Sequence, residues 1–113
     1  LTEEGARAFL LAPGCEALLA EKGGWACGLL SYTVRPNLFH AGETAYIEEL
    51  VVHEAERGRG VGHALMEAFL QAAGARGWVE VSVATLFDNE GAGRFSRAHG
   101  FGDEALLLER HLT

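Results

Sequence analysis

Residues 57–62 read Arg-Gly-Arg-Gly-Val-Gly, and no other stretch of this chain narrows its fold as much. They fall between a segment of strand character, Ala45 to Val52, and the chain's clearest helical pattern. In that pattern Val61, Ala64, Leu65, Ala68, Phe69, Ala72 and Ala73 recur at the spacing of one buried helix face. The spacing predicts a helix over 61–75, with Gly74 and Gly77 marking its exit. A glycine-rich turn that opens a helix is suited to anions. The first-turn N–H groups have no partner inside the helix, the helix dipole adds positive potential there, and glycine lets a phosphate approach the backbone without a Cβ in the way. Arg57 and Arg59 add charge and forked donors. The spacing is not that of a Walker loop, which needs Gly-Lys-Ser/Thr. Nor is it the dinucleotide fingerprint, whose third glycine is replaced here by Leu65.

The rest of the chain reads as a mixed α/β domain. Residues 2 to 11 predict a short helix with Thr2 as N-cap and Glu3 and Glu4 in the first turn, stopped by Pro13–Gly14. Residues 15 to 22 and 25 to 35 predict two strands, and Gly23–Gly24 between them is a hairpin signal. A loop is expected from Pro36 to Glu43, followed by the strand at 45–52. Residues 78 to 85 alternate with period two as a strand, and strand–helix–strand order over 46–85 points to a parallel crossover. A second helix is expected from near Asn89 to His99 with Gly100 as its terminator, and a last strand from about Glu104 to Glu109.

Composition excludes several functions. With 113 residues, nearly half of them apolar, the chain has the material for one core without disulfides. Cys15 and Cys27 read as reduced thiols in a cytoplasmic protein, packed as small hydrophobes. A net charge of −7 argues against nucleic acid and suits a cationic partner or plain solubility. No stretch has the length of a membrane span, and the N-terminus has no basic region of a signal peptide. The histidines at 40, 53, 63, 99 and 111 show no metal-ligand spacing, so no metal is expected.

The stretch from Glu48 to Gly62 resembles the central motif of the GNAT (GCN5-related) N-acetyltransferases. That motif is a strand ending in an apolar pair, a short loop, Arg/Gln-x-x-Gly-x-Gly/Ala and a helix, and Arg57, Gly60 and Gly62 stand at its fixed positions. Residues 89 to 101, from Asn89 to Phe101, resemble the family's next motif, in which an Asn and an Ala precede a helix ending in Gly-Phe. Together the two cover roughly residues 45 to 105; the first 40 residues match only in layout and are short for the family. The chain is therefore expected to be a single domain whose front is trimmed or whose acceptor-side wall is reduced. The resemblance implies the GNAT α/β fold, a mixed sheet with splayed parallel strands flanked by helices. It implies acetyl-CoA as cosubstrate, a small-molecule or protein amine as acceptor, and a homodimer. It also implies roles. The N–H groups of Gly58, Gly60, Val61, Gly62 and His63 would cradle the pyrophosphate beside Arg57 and Arg59. The pantetheine arm would run along Val51, Val52 and His53, and Asn89 would bond its amide.

Acetyl transfer to an amine requires a proton acceptor. An amine of lysine type has a pKa of about 10.4, so near pH 7 only about one molecule in 2,500 is nucleophilic. A carboxylate reached through one water can take the proton. Glu48 is the candidate base and Glu49 the alternate; adjacent acids in a strand face opposite ways, and a bulge would change which one meets the cleft. Many family members carry a Tyr general acid in the last helix, at the position held here by Ser96. Ser96 is too short and too weak an acid to replace a phenol, and Tyr32 and Tyr46 are the alternatives. That departure keeps a second reading open, a domain that binds acyl-CoA without turnover.

Overall fold

The computed structural model describes residues 2–39, 41–84 and 90–113. It forms two compact units, Leu1–Ser82 and Val83–Thr113. The larger opens with helix α1, Glu3–Leu11. Thr2 caps it as expected, its hydroxyl accepting the Gly5 N–H at 2.9 Å. Strands β1 (Cys15–Lys22), β2 (Trp25–Asn37) and β3 (Gly42–Val52) follow. A 3-10 turn at Glu54–Glu56 leads to helix α2 (Val61–Arg76) and then to strand β4 (Glu80–Val83). The sheet order is β1-β2-β3-β4, with β1–β2 and β2–β3 antiparallel. Helix α2 is the crossover from β3 to its neighbour β4, as the strand–helix–strand order predicts.

The loop expected at 36–43 is shorter than predicted. Pro36 pairs with Glu43 and Asn37 with Gly42, so the β2–β3 ladder runs through most of it. A proline's fixed φ suits extended backbone and forfeits only one donor, which a strand end tolerates. The strand expected at 104–109 is absent, and residues 101–113 carry no regular structure. Leu106, Leu107 and Leu108 are exposed. An apolar run makes a strand only against a partner ladder, and no described strand pairs with it. In the smaller unit, helix α3 (Glu90–Ala98) ends at Gly100, which holds the left-handed φ of +92° expected of a terminator.

The core lies in the larger unit, between α2 and one face of the sheet. Leu30, Met66 and Phe69 are its fully buried large side chains, joined by Tyr32, Val34, Ala45, Ile47, Leu65 and Trp78. The buried face of α2 is rotated from the predicted one. Met66 is buried, whereas Ala64 and Ala68 are exposed. The helix turns its longest apolar side chains onto the sheet, which leaves these two alanines past the edge of the contact.

Three aromatic rings lock this face. Phe69 lies 5.1 Å from Tyr32 and 5.5 Å from Trp78, and Tyr32 lies 5.6 Å from Trp78. The Tyr32 hydroxyl donates to Glu16 at 2.8 Å, and Arg76 at the end of α2 donates twice to the same carboxylate, at 2.6 and 3.0 Å. The Arg76 guanidinium also lies 4.8 Å from the Trp78 ring centre. Glu16 therefore ties β1, β2 and α2 together. Its carboxyl is held below the usual range, chiefly by the Arg76 hydrogen bonds. Burial, and then the Glu16 carboxylate, push the Tyr32 phenol up to about 12.

Two predictions follow from this packing. Phe69→Ala should cost about 3–5 kcal/mol, read from chemical denaturation. A carboxyl with a depressed folded pKa adds stability above its unfolded pKa and loses it as pH falls through the folded value. Glu16→Gln should therefore lower stability by roughly 0.5–1 kcal/mol at pH 7, because the pair is partly exposed. The gap to the parent should close as pH falls below the ordinary carboxylate range, with thermal unfolding across pH as the measurement.

Candidate active site

The end of β3, the 3-10 turn and the start of α2 form one continuous edge of the larger unit. β2 sets its position through two irregularities. Cys27 steps out of the β1 ladder, where Ala20 pairs with Gly28 and Glu21 with Ala26. The Cys27 carbonyl accepts the His53 N–H at 2.8 Å, fixing the exit from β3. At Gly28 a Cβ would sit 2.8 Å from Val61 Cγ1 and 3.0 Å from Leu65 Cδ1. The first turn of α2 thus rests directly on the β2 backbone, which only glycine permits at this distance.

The predicted cradle residues stand at this helix start. Gly58 and Gly60 hold left-handed φ values of +77° and +82°, which other residues rarely adopt. A Cβ added at either would meet nothing within 4 Å, so both face open space. Gly60 is the N-cap of α2 and supplies no side-chain cap, and the first helical bond runs from Ala64 N–H to Gly60 carbonyl. The amides of Val61, Gly62 and His63 therefore precede the helical ladder, as an anion site requires. Arg57 and Arg59 are exposed beside them. Arg57 is also structural, since its Nε donates to the Val52 carbonyl at 3.2 Å and closes the loop. A concavity of about 390 Å³ lies against this turn, lined among others by Lys22, Cys27, Glu56, Arg59 and Gly60. This donor set fits a phosphate group: backbone amides, two guanidinium groups and no Cβ in the way.

The candidate bases sit at a bulge. Ser31 pairs with Glu49 and Tyr32 with Ile47, leaving Glu48 outside the ladder. Strict alternation is broken here, and Glu48 and Glu49 are both exposed. Val51 is exposed and pairs with Leu29, and Val52 is half-buried and pairs with Gly28. His53 is exposed and caps the 3-10 turn, its Nδ1 accepting the Ala55 N–H at 3.2 Å. Asn89 lies outside the described residues. Ser96 is buried on α3 in the smaller unit, and its carbonyl accepts the His99 and Phe101 N–H groups. Of the two alternative acids, Tyr32 is committed to the core and to Glu16, and a phenol pushed up to about 12 is a poor proton donor near neutrality. Tyr46 is half-buried.

Two contacts at this edge have no signal in the sequence. Lys22 Nζ donates to both Glu56 oxygens, at 2.9 and 3.2 Å, and Glu56 is buried. The Lys22 hydrogen bonds hold the Glu56 carboxyl below its ordinary pKa despite burial, with smaller help from Arg59 and His53. Beside this pair the Trp25 ring stands edge-on to His53 at 5.1 Å. Charge and aromatic content alone do not reveal such pairings, which join residues about 30 positions apart.

No curated protein matches the sequence significantly. Solved structures match its fold over nearly the whole chain. A transcriptional regulator from Bacillus halodurans C-125 aligns with a TM-score of 0.86 at 26% identity, over 96% of this chain and 73% of its own. An aminoglycoside acetyltransferase, HMB0005, from an uncultured soil metagenomic sample aligns at 0.80 and 25% identity, over 100% and 76%. AAC(6')-Iy, solved with the bisubstrate analogue CoA-S-monomethyl-acetylneamine, aligns at 0.79 and 21% identity, over 97% and 78%, a likeness of fold alone. The model of the acetyltransferase (GNAT) family matches residues 2–101, and the chain belongs to that family.

Proposed function

We propose that this protein is an N-acetyltransferase that moves an acetyl group from acetyl-CoA to a primary amine by direct attack. The observation that carries the reading is the uncapped start of α2 behind Gly58 and Gly60, both open to solvent at positive φ. In this reading the amides from Gly58 to His63 bind the pyrophosphate, Arg57 and Arg59 add positive potential, and the pantetheine arm runs along Val51, Val52 and His53 with Asn89 at its amide. The amine nitrogen attacks the thioester carbonyl, the C–S bond breaks, and the CoA thiolate leaves. With a thiol pKa of about 8.5, the thiolate departs without an acid. An acid-free departure is consistent with Ser96 at the position where relatives carry Tyr, and with Tyr32 bound to Glu16. The amine proton goes to Glu48, directly or through one water, and Glu49 is the alternate acceptor. Cytoplasmic location, a homodimer and a single domain over residues 1–113 belong to the same reading.

A second reading, an acyl-CoA-binding domain without turnover, is favoured by Ser96 alone. Calorimetric titration with acetyl-CoA, with ATP and NAD as controls, tests what both readings share: binding is expected for acetyl-CoA only. Glu48→Gln then separates them. An enzyme should lose about 10²- to 10⁴-fold in kcat while its acetyl-CoA affinity stays unchanged. A parent protein that binds acetyl-CoA yet releases no thiol with any amine in a broad screen would favour the second reading. Gly60→Val should weaken acetyl-CoA binding in either case, because a branched residue is strained at φ +82° and its side chain fills the cradle.

A further inference from the structure

We propose that Lys22 and Trp25, at the tip of the β1–β2 hairpin, are positioning residues for the cradle. Acting through Glu56 and His53, they fix the turn that aims the backbone of residues 57–62 at its anion. The inference rests on the acyl-CoA reading above. Lys22 and Trp25 are cross-strand partners, one pair beyond the Glu21–Ala26 pair that follows the Cys27 bulge, so their side chains leave the hairpin together on one face. One grips Glu56 through two charge-assisted hydrogen bonds, and the other packs on His53.

The residues they hold are the two ends of the 3-10 turn. Within it the His53 carbonyl accepts the Glu56 N–H at 2.9 Å, and the Glu54 carbonyl accepts the Arg57 N–H at 3.3 Å. The cradle begins at the next bond. Gly58 and Gly60 have no neighbour within 4 Å of an added Cβ, so packing does not fix their path. Three anchors remain among the described residues: the α2 end, seated on Gly28, the Arg57 hydrogen bond to the Val52 carbonyl, and the 3-10 turn, seated on the hairpin tip.

Charge alone does not explain this arrangement. A carboxylate one residue ahead of an anion cradle opposes anion binding. Lys22 cancels that charge, which leaves geometry as the contribution of the pair. Holding backbone donors in place before the ligand arrives reduces the ordering cost of binding.

The test is calorimetric titration of acetyl-CoA into the full chain and its variants at 25 °C, with thermal unfolding measured alongside. Lys22→Glu and Glu56→Lys should each raise Kd by roughly three- to tenfold, and the charge-swapped double variant should recover most of that loss. Trp25→Ala should also weaken binding, and Trp25→Phe should restore it. Tighter binding by Glu56→Lys would show that charge alone acts and would overturn the inference. Unfolding temperatures that fall while Kd stays at the parent value in folded protein would reduce the clamp to a stability device and overturn it too. The half-exposed Trp25 keeps the test decisive if the buried Glu56 variant does not fold. A parent chain that does not bind acetyl-CoA would remove the acyl-CoA reading itself, a result distinct from parent binding with unchanged variants.

Discussion

Helix α2 reaches the sheet through the one position on β2 that carries no side chain. At Gly28 the first turn of the helix lies against strand backbone, with Val61 and Leu65 in the space a Cβ would take. Leu65, Met66 and Phe69 are buried further down the helix, and the Phe69 ring meets Tyr32 of β2. Because the helix start is pressed against β2, the amides that precede its ladder emerge beside the end of β3. The same close approach that builds the core therefore decides where the anion-suited end of the helix points.

At the far end of α2, Arg76 performs the matching task. It meets Glu16 from β1, which also holds the Tyr32 hydroxyl from β2. A helix fixed at both ends cannot slide along the sheet, and its first turn inherits that rigidity. The arrangement has a chemical consequence. Tyr32 has its proton engaged by a carboxylate and its phenol pushed up to about 12, so it serves packing and is a poor proton donor near neutral pH.

Much of this architecture is legible in single residues. Thr2 ahead of two acids marks the α1 cap, Gly23–Gly24 marks the first hairpin, and Gly77 and Gly100 mark helix ends, because each needs a particular local geometry. The Arg57–Gly62 turn is legible for the same reason: backbone at positive φ before a helix is a local demand. The β2–β3 loop and the tail are less legible. Pro36 looks like a terminator yet tolerates a strand end, and the Leu106–Leu108 run looks like a strand yet has no described partner. Periodicity sets the buried face of α2 too far toward Ala64 and Ala68, since it gives the spacing of a stripe but not the width of the surface that covers it.

The local turns, the caps, the helix with an anion-suited start and the family are all written in short stretches of sequence. Each depends on residues within a few positions of one another, where φ/ψ limits and unpaired amides act. Which side chains from distant elements meet is settled by the folded core. It placed Glu48 outside the β2 ladder at a bulge, bound Tyr32 to Glu16, and joined Lys22 to Glu56 across 34 positions. Pairings of that kind depend on strand register and on the seating of α2. These follow from how the whole core closes, and no local pattern carries them.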